Sequence, residues 1–454
     1  MKKVFLVLFV FSSALASAQL SDSVIIKKIV DETMTNATAY QNLRRLCKEV
    51  GPRLSGSPQY AKAVRLVSSL MKEGKYDTVY LQQCMVPHWV RGEKEVGHII
   101  SPDGKKYDLH LCALGNSVGS GTKGVTANIV EVNSMAQLNQ LGSAVKGKIV
   151  FFNFPMNQTY IKTFQAYGES GVSRNRGPAV AGKYGAVGAM VRSLAINLNN
   201  YPHTGATGYN DSFPKIPAIA LGGYDADYVW NLSKQSSFEV SFKTNGHFLP
   251  DAKGHNVVAE LTGTEFPDQY ITIGGHLDSW DVNEGASDDG TGVVQTMEIL
   301  RALKKLGYRP KHTIRFVLFA NEENGLRGGT KYAEEAKTNN EKHIFALESD
   351  EGGFTPRGFG FTIEQERLNK IQAWLPVLFP YGTTYLKMGG GGADIGPLNR
   401  VFGTPLAGFV PDNQRYFDLH HARSDVFENV NKRELLLGAI NMTGLIYLVD
   451  KYGL

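Results

Sequence analysis

From residue 255 onward, short apolar runs alternate with amphipathic stretches. Ile271–Gly275 reads as one strand. Ile314–Phe319 reads as another, so continuously apolar that it fits a sheet buried on both faces. Between them Val294, Met297 and Leu300 fall on one stripe of a helix predicted over Thr291–Leu306. A short helix starting near Thr330, a strand over His343–Leu347 and an amphipathic helix from Lys432 to about Lys451 continue the series. Strands alternating with helices predict an α/β class and a three-layer domain. In such sheets ligands gather at the carboxyl ends of the strands.

The first half reads differently. Ser21–Glu49 is predicted helical, Gly51–Pro58 breaks it, and a second helix runs from about Tyr60 to Lys72. Short strands follow, and from Gly115 to Gly124 the chain turns to Gly, Ser and Thr, which places a boundary there. Residues from about 121 to 250 contain strands at Ala127–Val132, Lys148–Phe152, Ala186–Val191 and Pro217–Leu221 but no clustered His, Asp or Glu. They read as a β-rich insertion with a few helices. The expected division is a leader over 1–18, an N-terminal part over 19–120, the insertion over 121–250 and a final part over 251–454.

Length and composition narrow this little: 454 residues suffice for two domains, and 42% apolar with 20% charged residues is ordinary for a globular protein. The net charge of +5 includes Lys2 and Lys3 of the leader, too little for a case for nucleic acid or an anionic membrane. Lys2-Lys3, the apolar Val4–Phe11 and the small Ala16-Ser17-Ala18 form a secretory signal. The apolar run is shorter than the ~20 residues that span a bilayer. An exported protein, periplasmic or extracellular, is expected. Cys47, Cys84 and Cys112 are an odd set, so at least one is free or paired between molecules. They fit small buried apolar residues best, with one disulfide among them left open.

Five segments carry the chemistry: His276 in Gly-Gly-His-Leu-Asp, Asp288 in Ala-Ser-Asp-Asp-Gly, Glu322-Glu323 in Asn-Glu-Glu-Asn-Gly, Asp350 in Glu-Ser-Asp-Glu-Gly and His421 in His-His-Ala-Arg-Ser-Asp. Three carboxylates and two imidazoles can hold two divalent ions, for which zinc favours this mix of nitrogen and oxygen. A shared ligand must be a carboxylate, since a neutral imidazole cannot bridge. Carboxylates so close would repel one another without cations. Of the adjacent glutamates, one can bind metal while the other acts as a base. Asp278 is placed to orient His276, with Asp289 and Asp425 as further supports. A lone His or Glu-Glu is usually structural or a solvated face. The joint order at strand ends is what argues for a site.

The run from Gly274 to Asp425, through Gly-Gly-His-Leu-Asp-Ser-Trp, Gly-Ala-Ser-Asp-Asp-Gly-Thr-Gly, Phe-Ala-Asn-Glu-Glu-Asn-Gly-Leu-Arg-Gly-Gly and Glu-Ser-Asp-Glu-Gly-Gly, resembles the co-catalytic zinc aminopeptidase family, which also contains glutamate carboxypeptidases. Gly51–Pro58 resembles a further block of it. The resemblance implies a zinc-exopeptidase domain with a mixed, mostly parallel sheet and a protease-associated-like insertion that helps cover the active site. It implies two Zn2+ per chain. Asp288 bridges them, His276 and Asp350 complete one site, Glu323 and His421 the other, and Glu322 is the general base. His420 and His421 compete for the last position; His421 is chosen because Asp425 follows it by four residues, as in the family pattern. A homodimer is also implied.

Other motifs weigh less. Gly115-Asn116-Ser117-Val118-Gly119 matches a serine-hydrolase elbow, but no helix start follows Ser117. Gly142–Lys148 nearly spells a phosphate loop, yet it precedes a strand and carries Ile149 where Ser or Thr belongs. Gly389–Gly392, before Ala393-Asp394, reads equally as a turn or as backbone approaching a substrate. The function expected is hydrolysis of short peptides, dipeptides foremost, by metal-activated hydroxide. The rivals are a non-catalytic receptor-like or binding domain of the same fold and a single-zinc glutaminyl cyclase. Arg423 is a candidate for holding a substrate carboxylate and Asp394 for holding an amine.

Overall fold

The computed structural model describes residues 22–101, 104–197 and 199–454. The expected leader over 1–18 lies outside the described residues. Two eight-stranded sheets organise the chain. The first runs, in spatial order, through Thr78–Val90, His247–Leu261, His312–Phe319, Phe266–His276, Lys342–Glu348, Leu406–Pro411, Pro356–Thr362 and Tyr385–Met388. Phe266–His276 at its centre pairs in parallel with both neighbours, placing His276 beside Phe319 and Gly274 beside Glu348. Lys342–Glu348 continues in parallel to Leu406–Pro411. The outer pairings of His247–Leu261 and the Pro356–Thr362 contact with Leu406–Pro411 are antiparallel. The sheet is thus mixed, with a parallel centre.

Every residue of His312–Phe319 is buried, as its unbroken apolar run requires. Side chains alternate between two covered faces. Val257, Ala259, Phe316 and Leu318 share a core with helices Pro58–Glu73, Thr291–Lys305 and Lys432–Tyr452. Val258, Val317 and Phe319 face the opposite way, against Arg327–Thr338 and Gly396–Phe402. These are the three layers expected. Helix Pro58–Glu73 starts where its sequence says it should: Ser57 caps the amide of Tyr60 at 3.1 Å and proline fills the first turn. The helix expected over Ser21–Glu49 is instead broken. Residues 22–36 are helical, Ala39–Arg45 forms a second helix, and Leu46–Val50 widens into a π turn. At the break the amide of Thr38 donates to Glu298 Oε2 (3.3 Å), a tertiary partner that the local pattern does not encode.

The second sheet runs Lys106–Asp108, Val96–Ile100, Glu239–Lys243, Val125–Val132, Ile149–Phe152, Gly188–Arg192, Ala218–Leu221 and Leu111–Ala113. Three of these strands precede the Gly/Ser/Thr stretch at 115–124. That stretch is an internal connection: Gly115 bridges Ala206, and the amide of Ser120 donates to the Thr244 carbonyl. Small polar residues mark a turn there, inside the unit built on this sheet. The chain passes between the two sheets after Val90 and before His247, residues that pair with each other.

Cys47, Cys84 and Cys112 are all free and buried. Burial pushes the thiols up, to about 12 for Cys47 and Cys112 and about 11 for Cys84, so they pack as apolar groups. Among the described residues no helix is long and apolar enough to cross a membrane.

Candidate metal centre

The expected residues meet at the carboxyl end of the parallel strands. His276 closes Phe266–His276, Glu322-Glu323 follow His312–Phe319, and Asp350 follows Lys342–Glu348. Asp288 lies in the turn Ala286–Gly290 that leads into helix Thr291–Lys305. His421 follows the short helix Tyr416–Leu419. Backbone in the left-handed region clusters here, at His421 (φ 62°) and at Asn321 and Leu326 (67° and 55°) on either side of the glutamate pair. Such conformations cost energy in non-glycine residues and persist where surrounding structure imposes them.

Asp288 is central. Its Oδ1 lies 3.2 Å from His276 Nε2, and its Oδ2 lies 3.3 Å from His421 Nε2. His276 Nε2 is also 3.2 Å from Asp350 Oδ1, and His421 Nε2 is 3.1 Å from Glu323 Oε2. The two imidazoles therefore face opposite oxygens of one carboxylate, each with a second carboxylate at hand. His276 Nε2, Asp288 Oδ2 and Glu323 Oε1 are buried without a hydrogen-bond partner. Orphaned nitrogen and oxygen donors turned on one spot are costly unless a cation satisfies them, and this donor set suits zinc.

Two neighbours also approach the cluster. His420 stacks on His421 with ring centroids 3.5 Å apart, and its Nε2 is 3.7 Å from Asp288 Oδ2. Of the two, His421 is the nearer to Asp288 and also touches Glu323. Asp289 falls near His276 and Asp350 as well. Its oxygens, however, accept the amides of His276 (3.1 Å) and Gly292 (2.9 Å), which makes it a brace.

The supports are specific. His276 Nδ1 is 3.0 Å from the Asp278 carbonyl, which leaves Nε2 to face the cluster. The Asp278 carboxylate accepts the Glu322 amide at 3.0 Å and so ties the imidazole's loop to the glutamate pair. Asp425 accepts the amides of Ser287 (2.7 Å) and Asp288 (3.1 Å), gripping the backbone under the central aspartate. Arg53, from the Gly51–Pro58 stretch, is fully buried and donates to the carbonyls of Leu277, Glu284 and Gly285 at 2.6, 2.6 and 2.9 Å. Sequence reasoning singled out the stretch but not this role; a lone arginine in a Gly/Pro/Ser breaker was the available signal. Trp280 packs edge-on against His421, centroids 5.8 Å apart, and fits because Gly115 has no side chain: a Cβ there would fall 1.8 Å from the indole.

Without cations the cluster is electrostatically crowded. Burial, with Asp350 and Asp288 adding repulsion, pushes Glu322 up to about 8. Burial and Asp288 push Glu323 well above the usual carboxyl range. Burial also opposes ionisation of Asp288, but His276 and His421 outweigh it and hold that carboxyl well below the usual range. Burial would lower His276, but Asp350 and the other carboxylates raise it well above the ordinary imidazole value.

A cavity of about 950 Å³ opens over the cluster. Asp288, Glu322, Glu323, Asp350 and His421 line it together with Phe164, Tyr167, Arg174 and Tyr209, which come from connections between strands of the second sheet. Glu323 is buried and engaged with His421, whereas Glu322 is half-buried and turned to the cavity. The motifs of lesser weight resolve as structure. Ser117 is fully buried, its hydroxyl accepting the Ala218 amide (2.8 Å) and donating to the Val118 carbonyl (3.1 Å). Gly142–Val145 is a 3-10 turn ahead of a strand. The Gly389–Gly392 run packs on backbone at Gly360 and Gly408, and Gly392 makes room for Glu348, whose Oε2 accepts the amides of Asp394 and Ile395. Arg423 is exposed and stacks on Tyr201, and Asp394 is buried; neither lines the cavity.

Residues 256–443 match the family described as Peptidase family M28. Carboxypeptidase Q of Homo sapiens is 33% identical over 412 residues, 90% of this chain and 85% of that protein. Carboxypeptidase Q of Xenopus laevis is 35% identical over 388 residues, 85% of this chain and 80% of that one. Among solved structures, a peptidase M28 precursor from Shewanella amazonensis SB2B superposes with a TM-score of 0.90 at 29% identity, covering 95% of this chain and 97% of its own. A zinc aminopeptidase from Bacillus subtilis shares the fold at a TM-score of 0.62 and 20% identity, covering 90% of this chain and 94% of its own.

Proposed function

The chain belongs to peptidase family M28, and from that premise we propose that it is an exported two-zinc exopeptidase cleaving short peptides, dipeptides foremost. Asp288, His276, Asp350, Glu323 and His421 would hold the ions, His276 with Asp350 and His421 with Glu323 standing at the two oxygens of Asp288. Zinc held there supplies a Lewis acid that polarises the scissile carbonyl and makes water acidic enough to be deprotonated near neutral pH. Glu322 takes the proton of the attacking water on its carboxylate and passes it to the leaving nitrogen. Asp278 fixes that glutamate through its amide and His276 through its ring. The segment read as a protease-associated-like insertion, about 121–250, lines part of the cavity and limits substrate length. Export through the leader at 1–18 and assembly as a homodimer belong to the same reading.

One observation carries it: a single aspartate offers its two oxygens to two imidazoles, beside a glutamate that faces the cavity. The test is Glu322→Gln. The variant is expected to keep about two zinc ions per chain by elemental analysis and to lose at least roughly 100-fold in turnover of dipeptides. Normal turnover in that variant ends the assignment. A zinc content near one in the wild type would favour the single-metal rival.

A further inference from the structure

His276 and His421 are supported in different ways. His276 ends a central strand, its Nδ1 is 3.0 Å from the Asp278 carbonyl in the same loop, and its amide donates to Asp289 at 3.1 Å. Both supports belong to the layer built on the first sheet. His421 follows the four-residue helix Tyr416–Leu419 and sits in the left-handed region. A non-glycine residue stays there only where its neighbours impose it. Here the neighbours come from the unit built on the second sheet. The Thr204 amide donates to the His421 carbonyl at 3.0 Å, and His421 Nδ1 lies 3.2 Å from the Thr204 carbonyl. One residue earlier on each side, His203 Nδ1 is 2.7 Å from the His420 carbonyl. Two consecutive residues of one unit thus grip two consecutive residues of the other, by backbone and by ring.

The grip is itself fixed. The His203 amide donates to the Ser193 hydroxyl at 2.8 Å, and the Thr204 hydroxyl donates to the Ala113 carbonyl at 3.0 Å. Arg174, fully inside the same unit, donates Nη1 to the Thr204 carbonyl at 3.4 Å and Nη2 to the Tyr167 hydroxyl at 2.5 Å. Gly205, at φ 130°, leaves room for it: a Cβ there would stand 2.5 Å from the guanidinium carbon. Tyr167 in turn stacks on Phe417 with centroids 4.7 Å apart, and Phe164 stacks on Tyr416 at 5.4 Å, so the helix that leads to His421 is held by the same unit. Arg91 closes the seam elsewhere, with Nη2 and Nε on the Asp281 carboxylate at 2.6 and 2.9 Å. A histidine that ligates through Nε2 carries its proton on Nδ1, and the acceptor of that proton fixes tautomer and ring tilt. For His276 that acceptor is local. For His421 it is Thr204, across the seam.

Resting on the two-zinc reading above, we propose that the unit built on the second sheet braces one metal position and not the other: its segment 203–205 positions His421, so that docking of this unit and binding of an ion at Glu323 and His421 strengthen each other, while an ion at His276 and Asp350 binds without its help. The coupling is reciprocal, since whatever docking adds to metal affinity the metal must add to docking.

The test titrates zinc and not activity. His421→Ala leaves the position at His276 and Asp350; His276→Ala leaves the one at Glu323 and His421. Into each background goes Gly205→Ala, which drives the 203–205 segment away from Arg174, or His203→Phe, which removes the bond to the His420 carbonyl at similar bulk. Competition with a chromogenic chelator is expected to show zinc affinity falling by about 10- to 100-fold in the His276→Ala background and by less than about threefold in the His421→Ala background. Equal losses in both would reduce the brace to general stability and overturn the proposal; so would no loss in either. A second arm needs no substitution in the segment. Hydrogen exchange at the Thr204 amide of the full chain is expected to slow by at least about tenfold on zinc loading of the wild type and to stay unchanged in His421→Ala. Equal exchange in zinc-loaded and chelated wild type overturns the proposal even where the segment variants fail to fold. Protein that loads zinc and shows the coupling but cleaves no peptide would sink the peptidase reading alone, and wild type that loads no zinc would sink both.

Discussion

Asp288 faces two imidazoles with one planar group, so its value depends on the tilt of a single carboxylate. That tilt is set from behind, by Asp425 holding the amides of Ser287 and Asp288. Asp425→Asn puts an amide group where a double acceptor stood, and one of the two backbone donors loses its partner. Zinc affinity is expected to fall by about 10- to 100-fold, read by competition with a chromogenic chelator, with the fold retained by circular dichroism. Unchanged affinity would show that the turn Ala286–Gly290 holds its shape unaided. His276, Glu322, Glu323 and Asp350 were legible because each ends or follows an apolar strand, while Asp288 and His421 were legible only from their Gly-, Ser- or His-bearing motifs, since one leads into a helix and the other follows one. Arg174 was not legible. It lies 247 residues before His421, in a segment with no companions of its chemistry, and only the cavity wall reveals it.

Elements were readable in proportion to how far local pattern decides them. His312–Phe319 was readable because a strand buried on both faces has one composition. The early helix was not, because Thr38 breaks it to reach Glu298 on another helix. The Gly389–Gly392 run left two readings open, and packing chooses between them. There the backbone passes so close to Glu348 that a Cβ on Gly392 would lie 2.0 Å from its carboxyl carbon. Gly392→Ala is therefore expected to push Glu348 off the amides of Asp394 and Ile395. The expected cost is about 2–4 kcal/mol in urea unfolding, from overpacking plus unpaired buried amides. A cost below ~0.5 kcal/mol would mean that the segment yields, and would return the run to the status of a flexible turn.

At the scale of the molecule, the floor of the cavity stores charge. In the metal-free protein burial lifts Glu348 as well as Glu322 to about 8 and Asp425 to about 7. The folded chain then holds protons that the unfolded chain, with carboxyl pKa near ~4, has already released. Stability of the chelated protein is expected to fall as pH rises from about 4 to about 8, since the native state binds more protons throughout that window. Zinc bound nearby is expected to favour the ionised form of these carboxyls through its charge and so flatten the slope. Urea midpoints at pH 5 and pH 8, with chelator and with zinc, check this; a chelated midpoint that climbs with pH would contradict it. The two sheets bring one further consequence. The chain leaves the first sheet at Val90 and returns at His247, and those two residues are direct partners in the ladder. Everything from 91 to 246 is therefore a cassette with its entry and exit side by side. A two-residue hairpin between Val90 and His247 would close the ladder topologically, while the contacts of Arg91 with Asp281, of Thr204 with His421 and of Arg174 with His421 are what hold the cassette over the metal-binding layer.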